Sequence, residues 1–257
     1  MAGSNSKHFV LPSGASHDTY PENTNSHFKV KLPERLVCKR GEWEVAMESI
    51  TYHNNWDNAT NAYMMVEDKT GQKHRVKFPD GRYGTVLNVL LALYTSLQMS
   101  QFYRYLYLYY SVEYGKPILS ILDGDYSIEF SADLADMLGF IPGKKYTKPD
   151  GDTLVVPENE SNMQTVYEQL YVYSNLCDNM VVGDSSVPCL YNVPVRWTDE
   201  QTNLVGETVE EPMYVNAAAL DTDVVEVDIR RRDGESVVFR GGRVVITVHL
   251  RKRTTQN

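Results

Sequence analysis

Cysteine is scarce: Cys38, Cys177 and Cys189 are the only three in 257 residues. They are too scattered for a disulfide framework and lack the close pairs of zinc sites, so they read as reduced core residues. No apolar run approaches the ~20 residues of a membrane-spanning helix, and the opening stretch Met1 to Lys7 is polar. A chain made inside the cell, without a secretory signal, is expected. The sequons at Asn58-Ala59-Thr60 and Asn159-Glu160-Ser161 are then chance matches.

Motifs for chemistry are also missing. There is no phosphate-cradling glycine loop and no dinucleotide fingerprint. The six histidines (His8, His17, His27, His53, His74, His249) show no ligand pair at helical or hairpin spacing and read as surface or loop residues. Gly183-Asp184-Ser185-Ser186-Val187 begins like a nucleophile elbow, but Val187 replaces the second glycine and no helix pattern follows. Asp221 and Asp223 lack the spacing of a calcium loop. The expectation is a protein that is not an enzyme, with no catalytic, cofactor-binding or metal residue to assign and no cofactor.

What the chain does have is tyrosine, 18 residues against 7 Phe and 3 Trp. Tyrosine suits half-buried sheet faces and protein interfaces, because its ring packs while its hydroxyl stays wet. Charge is segregated. Asp150 to Glu226 carries fifteen acidic residues and a single basic one, Arg196, whereas the end of the chain is basic: Arg230, Arg231, Arg232, Arg240, Arg243, Arg251, Lys252 and Arg253. Two faces meeting different surroundings, or a solvated acidic surface with ordinary strand-end arginines, both account for this. No recognition helix or zinc module exists for reading nucleic acid, which leaves weak contact of the basic end with packaged DNA or simple solvation.

Strict apolar/polar alternation in Val225 to Arg230 and again in Val244 to Leu250 predicts strands with one wet face, joined through Asp233-Gly234 as an antiparallel meander. Further strands are expected at His8 to Leu11, Phe28 to Leu32 extending towards Cys38, Trp43 to Tyr52, Tyr167 to Ser174, Pro188 to Trp197 and Met213 to Asn216, with Pro12, Pro21 and Pro33 as punctuation. Between these blocks, Val86, Val89, Leu90, Leu93 and Leu97 recur at helical spacing behind Thr85 as cap. A second short helix, capped by Ser131, carries Leu134, Met137 and Leu138 and stops at Gly139 and Pro142. The predicted fold is mainly β: a single jelly roll, an antiparallel eight-stranded sandwich, with a central α+β insertion domain. Residues 1–59 and 161–257 would form the jelly roll and residues 60–160 the inserted unit; two consecutive domains are the alternative.

Several short blocks, in order, resemble the penton or minor capsid proteins of Maverick/Polinton elements and adintovirus-like viruses. They are Phe9-Val10-Leu11-Pro12-Ser13, Tyr20-Pro21-Glu22-Asn23, Phe28 to Leu32, and Gly41 to Met47 leading to Tyr52 and Trp56. Leu138-Gly139-Phe140, Tyr171 to Ser174, Val181 to Asp184 and Phe239 to Arg251 follow; the stretch between Trp197 and Tyr214 is a gap in the alignment. The resemblance implies a jelly roll with an inserted upper domain, a homopentamer at the five-fold vertices of a double-stranded DNA virus-like capsid, and a major capsid protein of double-jelly-roll type as partner. It implies the virion as location. The alternative is a β-sandwich recognition module that binds a host receptor or glycan through the tyrosine-rich insertion.

Overall fold

The computed structural model describes residues 5–195 and 203–253. The chain divides into two compact units, Met1–Trp56 with Tyr167–Asn257, and Asp57–Val166. Along the chain, β1 (Ser6–Pro12), β2 (His27–Cys38) and β3 (Trp43–His53) come first. The middle segment carries β4 (Tyr63–Glu67), β5 (Lys73–Lys77), α1 (Val86–Gln98), β6 (Leu106–Ser111), β7 (Lys116–Ile121), β8 (Ser127–Phe130), α2 (Ala132–Leu138), β9 (Tyr146–Thr147) and β10 (Leu154–Val155). The last segment holds β11 (Gln169–Ser174), β12 (Met180–Val182), β13 (Ser185–Val187), β14 (Cys189–Pro194), β15 (Leu204–Thr208), β16 (Val215–Asn216), β17 (Leu220–Arg230) and β18 (Val245–Lys252). The architecture is mainly β, with several antiparallel sheets and a helical insertion, and is jelly-roll-like.

In the first unit one sheet runs β1-β18-β3-β15, with β16 also on β3, and a second runs β14-β11-β17-β2. Both therefore combine strands from the two ends of the chain. Alternate residues are buried: Phe28 and Val30 on β2, Leu170 and Val172 on β11, Val225, Val227 and Ile229 on β17, and Ile246, Val248 and Leu250 on β18. Each such side chain contributes roughly 1.5–3 kcal/mol on leaving water, and a one-residue slip would turn the whole set outward, which pins the register.

The structure departs from the sequence reading in several places. The meander expected at the C-terminus does not form, because β17 and β18 lie in different sheets. The Asp233-Gly234 turn closes only a bridge between Arg230 and Ser236, and Val237 to Gly242 forms no strand. Alternation decides which face of a strand is wet, and both strands satisfy it with other partners. Pro33 does not interrupt β2: the ladder passes from Lys31↔Val224 to Leu36↔Thr222, so the proline sits in an irregular stretch of an edge strand, where no amide is required. Of the stretch expected from Pro188 to Trp197, β14 covers Cys189–Pro194, while Arg196 and Trp197 lie outside the described residues. The Met213 to Asn216 stretch shrinks to the two residues of β16, and β15 was not expected. It pairs with β3 although three of its five residues are exposed and Gly206 interrupts it.

The second unit packs α1, α2 and two sheets, β5-β4-β8-β9 and β10-β7-β6, around one core. Helix α1 buries Val89, Leu90, Leu93 and Leu97, and Thr85 caps it by accepting from the Asn88 amide at 3.3 Å. Ser131 does stand at the N-cap of α2, but its hydroxyl accepts instead from the Tyr63 amide of β4 at 3.0 Å, a bond that fastens helix to sheet. Gly139 ends α2 with φ of +80°, and a Cβ there would lie 2.4 Å from the Asn159 carbonyl oxygen, so the turn admits no side chain.

Candidate interaction surfaces

In the first unit, the outward face of the β11-β17 pair and the β12-β13 hairpin enclose an open groove of about 800 Å³. Its lining follows from strand parity. Tyr171 and Tyr173 are two apart on β11, so both rings face outward and stack with centroids 6.5 Å apart. Arg230 lies over Tyr173 and donates to Asp228 at 2.7 Å. His27 sits 3.3 Å from Glu226, and Arg231 and Arg232 also line the groove.

Ser185 also lines this groove, and its hydroxyl donates to Asp184 at 3.2 Å. A serine nucleophile needs an adjacent base, and among the described residues no histidine hydrogen-bonds to it. The basic residues of the C-terminal segment are largely matched by acids. Arg231 pairs with Asp233 at 2.8 Å, Arg232 with Glu168 at 2.9 Å and Arg251 with Glu44 at 2.6 Å. Lys29 is 4.0 Å from Glu226, and Arg35 pairs with Asp221. Acidic and basic groups thus interleave within this unit, which favours ion-paired strand ends over a phosphate-binding stripe. Asp221 is held below its ordinary carboxylate range, first by its hydrogen bond from Arg35. Asp223 shares no metal-ligating cluster with it among the described residues.

The second unit presents a different surface. Opposite its buried stripe, α1 exposes Leu87, Leu91 and Tyr94, spaced four and three residues apart on one face. Tyr107 and Tyr109 point outward from β6, with Tyr103, Tyr110, Val112 and Tyr114 exposed around them.

The six histidines are not all isolated. His8 and His249 face each other across β1 and β18, with parallel rings 4.2 Å apart, and Glu48 joins them from β3. Burial, followed by the nearness of His8, holds His249 below the usual imidazole range. This trio went unread in the sequence because its members are contributed by three separate strands.

No protein-family model matches the chain, and no curated protein sequence matches it. Among solved structures, the chain superposes on the mavirus penton protein with a TM-score of 0.54 at 11% identity, over 96% of this chain and 100% of that one. A chain from the cryo-EM structure of the Sputnik virophage gives a TM-score of 0.48 at 9% identity, over 96% and 98%. The first of these is a likeness of fold over nearly the whole of both chains. No helix among the described residues is long and apolar enough to cross a membrane.

Proposed function

We propose that this chain is a structural, non-enzymatic capsid protein: a penton or minor capsid subunit that forms pentamers at the five-fold vertices of a double-stranded DNA virus-like capsid, as in Maverick/Polinton elements and adintovirus-like viruses. The observation that carries this reading is the pairing of two four-membered strand paths, β1-β18-β3-β15 and β14-β11-β17-β2, interrupted after β3 by an inserted unit. That order is compatible with a jelly roll and accompanies the fold likeness to the mavirus penton protein. On this reading residues 1–59 and 161–257 are the jelly-roll domain and residues 60–160 the upper domain. The virion is the working location and a double-jelly-roll major capsid protein the partner. Closing a ring of five requires a heterologous interface, with one flank of each subunit meeting the opposite flank of the next.

Light scattering across a concentration series at two salt levels, with negative-stain imaging of large species, tests the assembly. Five-fold rings are expected, either alone or on co-expression with the major capsid protein. A protein that stays monomeric and never enters co-expressed shells would sink the proposal.

The exposed tyrosines of the insertion, Tyr103, Tyr107, Tyr109, Tyr110 and Tyr114, favour a second reading, a recognition module for a host receptor or glycan. Sugar faces stack on such rings, so a glycan array tests the glycan form of it: specific binding lost in Tyr107→Ala supports the module, and an empty array removes the glycan as its ligand.

A further inference from the structure

We propose that His8, Glu48 and His249 form a binding site for a divalent transition-metal ion of the zinc class, which clips the edge strand β1 to the sheet. The inference is independent of the capsid reading and rests on how three adjacent strands place these side chains.

Strand β1 lies at the end of its sheet, held on one side only by β18. His8 and His249 are direct cross-strand partners in that ladder, so their Cβ atoms share one face at close range. Glu48 reaches the same face through an irregularity. The β18-β3 ladder passes from Val248↔Met47 to Thr247↔Ser49, leaving Glu48 as the extra, unpaired residue of a bulge. Bulges re-aim side chains, and here the burial pattern records it: Trp43, Val45 and Met47 point inward, then Ile50 and Tyr52 do so on the shifted phase.

The three donor groups lie close together, and because the His8 and His249 rings are stacked in parallel, a shared ion requires one of them to rotate. His8 Nδ1 is 3.0 Å from one Glu48 carboxylate oxygen, and His249 Nδ1 is 3.8 Å from the other. One ligand atom from each residue lies within 4.8 Å of the others. Ligands about 2.0–2.1 Å from a tetrahedral ion stand roughly 3.3 Å apart, so the observed separations straddle the required one. Two imidazole nitrogens and a carboxylate suit zinc, nickel or copper better than magnesium or calcium, which prefer all-oxygen shells.

The surroundings suit a metal-binding histidine. The Nε2 of His249 is hydrogen-bonded to the Ser6 hydroxyl, which orients the ring and leaves Nδ1 for the ion. Tyr214 now shares that Nδ1, at 2.8 Å, and would turn aside or approach the fourth position. Arg251, a cation that acts on His249, is engaged elsewhere: it pairs with Glu44 at 2.6 Å and stacks 3.5 Å over the Tyr214 ring. Access is open on one side, since the His8 side chain is 58% exposed while His249 is 15% and Glu48 29% exposed.

The test is zinc binding to the full chain by calorimetry, with thermal melts in ZnCl2, MgCl2 and EDTA. One zinc per chain is expected, with a melting temperature raised by about 5 °C or more at zinc a hundredfold above its Kd, reversed by EDTA and absent with magnesium. His8→Ala and Glu48→Gln, both at outward positions, should keep the wild-type circular dichroism and lose at least tenfold in affinity, whereas His27→Ala should bind as wild type. A zinc-edge anomalous peak in a soaked crystal should fall among the three side chains. No binding by the wild type, unchanged affinity in both variants, or a peak elsewhere overturns the proposal.

Discussion

Trp56 stacks on Tyr167, ring centroids 4.7 Å apart and planes within 14°. These are the residues at which the chain leaves the first unit and returns to it. Trp56 is fully buried and also touches Tyr52 and Phe239, while the Tyr167 hydroxyl accepts from Arg231 at 3.4 Å. The pair holds the two crossing points side by side whatever lies between them in sequence.

Trp56→Ala should therefore destabilise the first unit by about 3–5 kcal/mol through cavity formation. Tyr167→Phe, which keeps the stack, should cost no more than about 1.5 kcal/mol. Replacing residues 57–166 by a Gly/Ser linker of about six residues, long enough to reach ~20 Å, should leave a cooperatively folding protein. Urea unfolding followed by Trp fluorescence and circular dichroism checks all three. A linker variant without a cooperative transition would count against the first unit as an independent domain.

At Gly139, two separate penalties fall on one substitution. Gly139→Ala must place a Cβ at φ of +80° and against the Asn159 carbonyl at 2.4 Å. Gly143, at φ of +72° with open space around it, supplies the comparison. Gly143→Ala should cost about 1 kcal/mol, and Gly139→Ala at least about 2 kcal/mol, by chemical denaturation. Equal costs would mean that the Asn159 segment yields freely.

The thiols should be inert in the native protein. Burial pushes Cys177 up to about 12, with Cys189 adding to it, and burial also raises Cys38 and Cys189. At pH 8 a disulfide reagent should modify all three cysteines in urea and, without it, react about a hundredfold or more slowly. Rapid labelling of Cys177 in the folded state would contradict its burial.

Alkaline pH should weaken the fold. Burial, with a smaller contribution from Glu207, raises Tyr52 from about 10 to about 12. The fold thus favours the neutral phenol. Its stabilising effect is complete below pH ~10, where the unfolded chain begins to ionise, and is lost as pH rises towards 12; Cys177 acts in the same direction from pH ~9. The Tyr52 hydroxyl has no hydrogen-bond partner among the described residues. Tyr52→Phe should accordingly be near neutral at pH 7 and recover on the order of 2 kcal/mol of the alkaline loss. Urea midpoints at pH 8 and pH 11.5 decide it: an equal alkaline loss in both proteins refutes the assignment.

Much of the local structure was legible. The stripe from Val86 to Leu97 with Thr85 before it, the Gly139 stop, and the alternation from Val225 to Arg230 and from Val244 to Leu250 are local patterns, and α1, α2, β17 and β18 formed over them. Strand β15 was hidden because Leu204–Thr208 alternates weakly around Gly206 and lies mostly exposed. The histidine trio left one trace, the change of phase between Met47 and Ile50, but a shifted phase signals a bulge without saying what the bulged residue will meet.

The sequence by itself determined which side of α1, β17 and β18 would be buried, where the helices begin and end, and that three cysteines would serve as core. A period of 2 or 3.6 is a property of a few neighbouring residues and survives without any partner. Tertiary structure alone decided that β17 and β18 belong to different sheets, that β1 closes against β18, that Pro33 is tolerated at an edge, and that His8, Glu48 and His249 meet. Strand pairing is chosen by long-range contacts that many alternating segments could satisfy equally. Only their joint burial around one core selects among them.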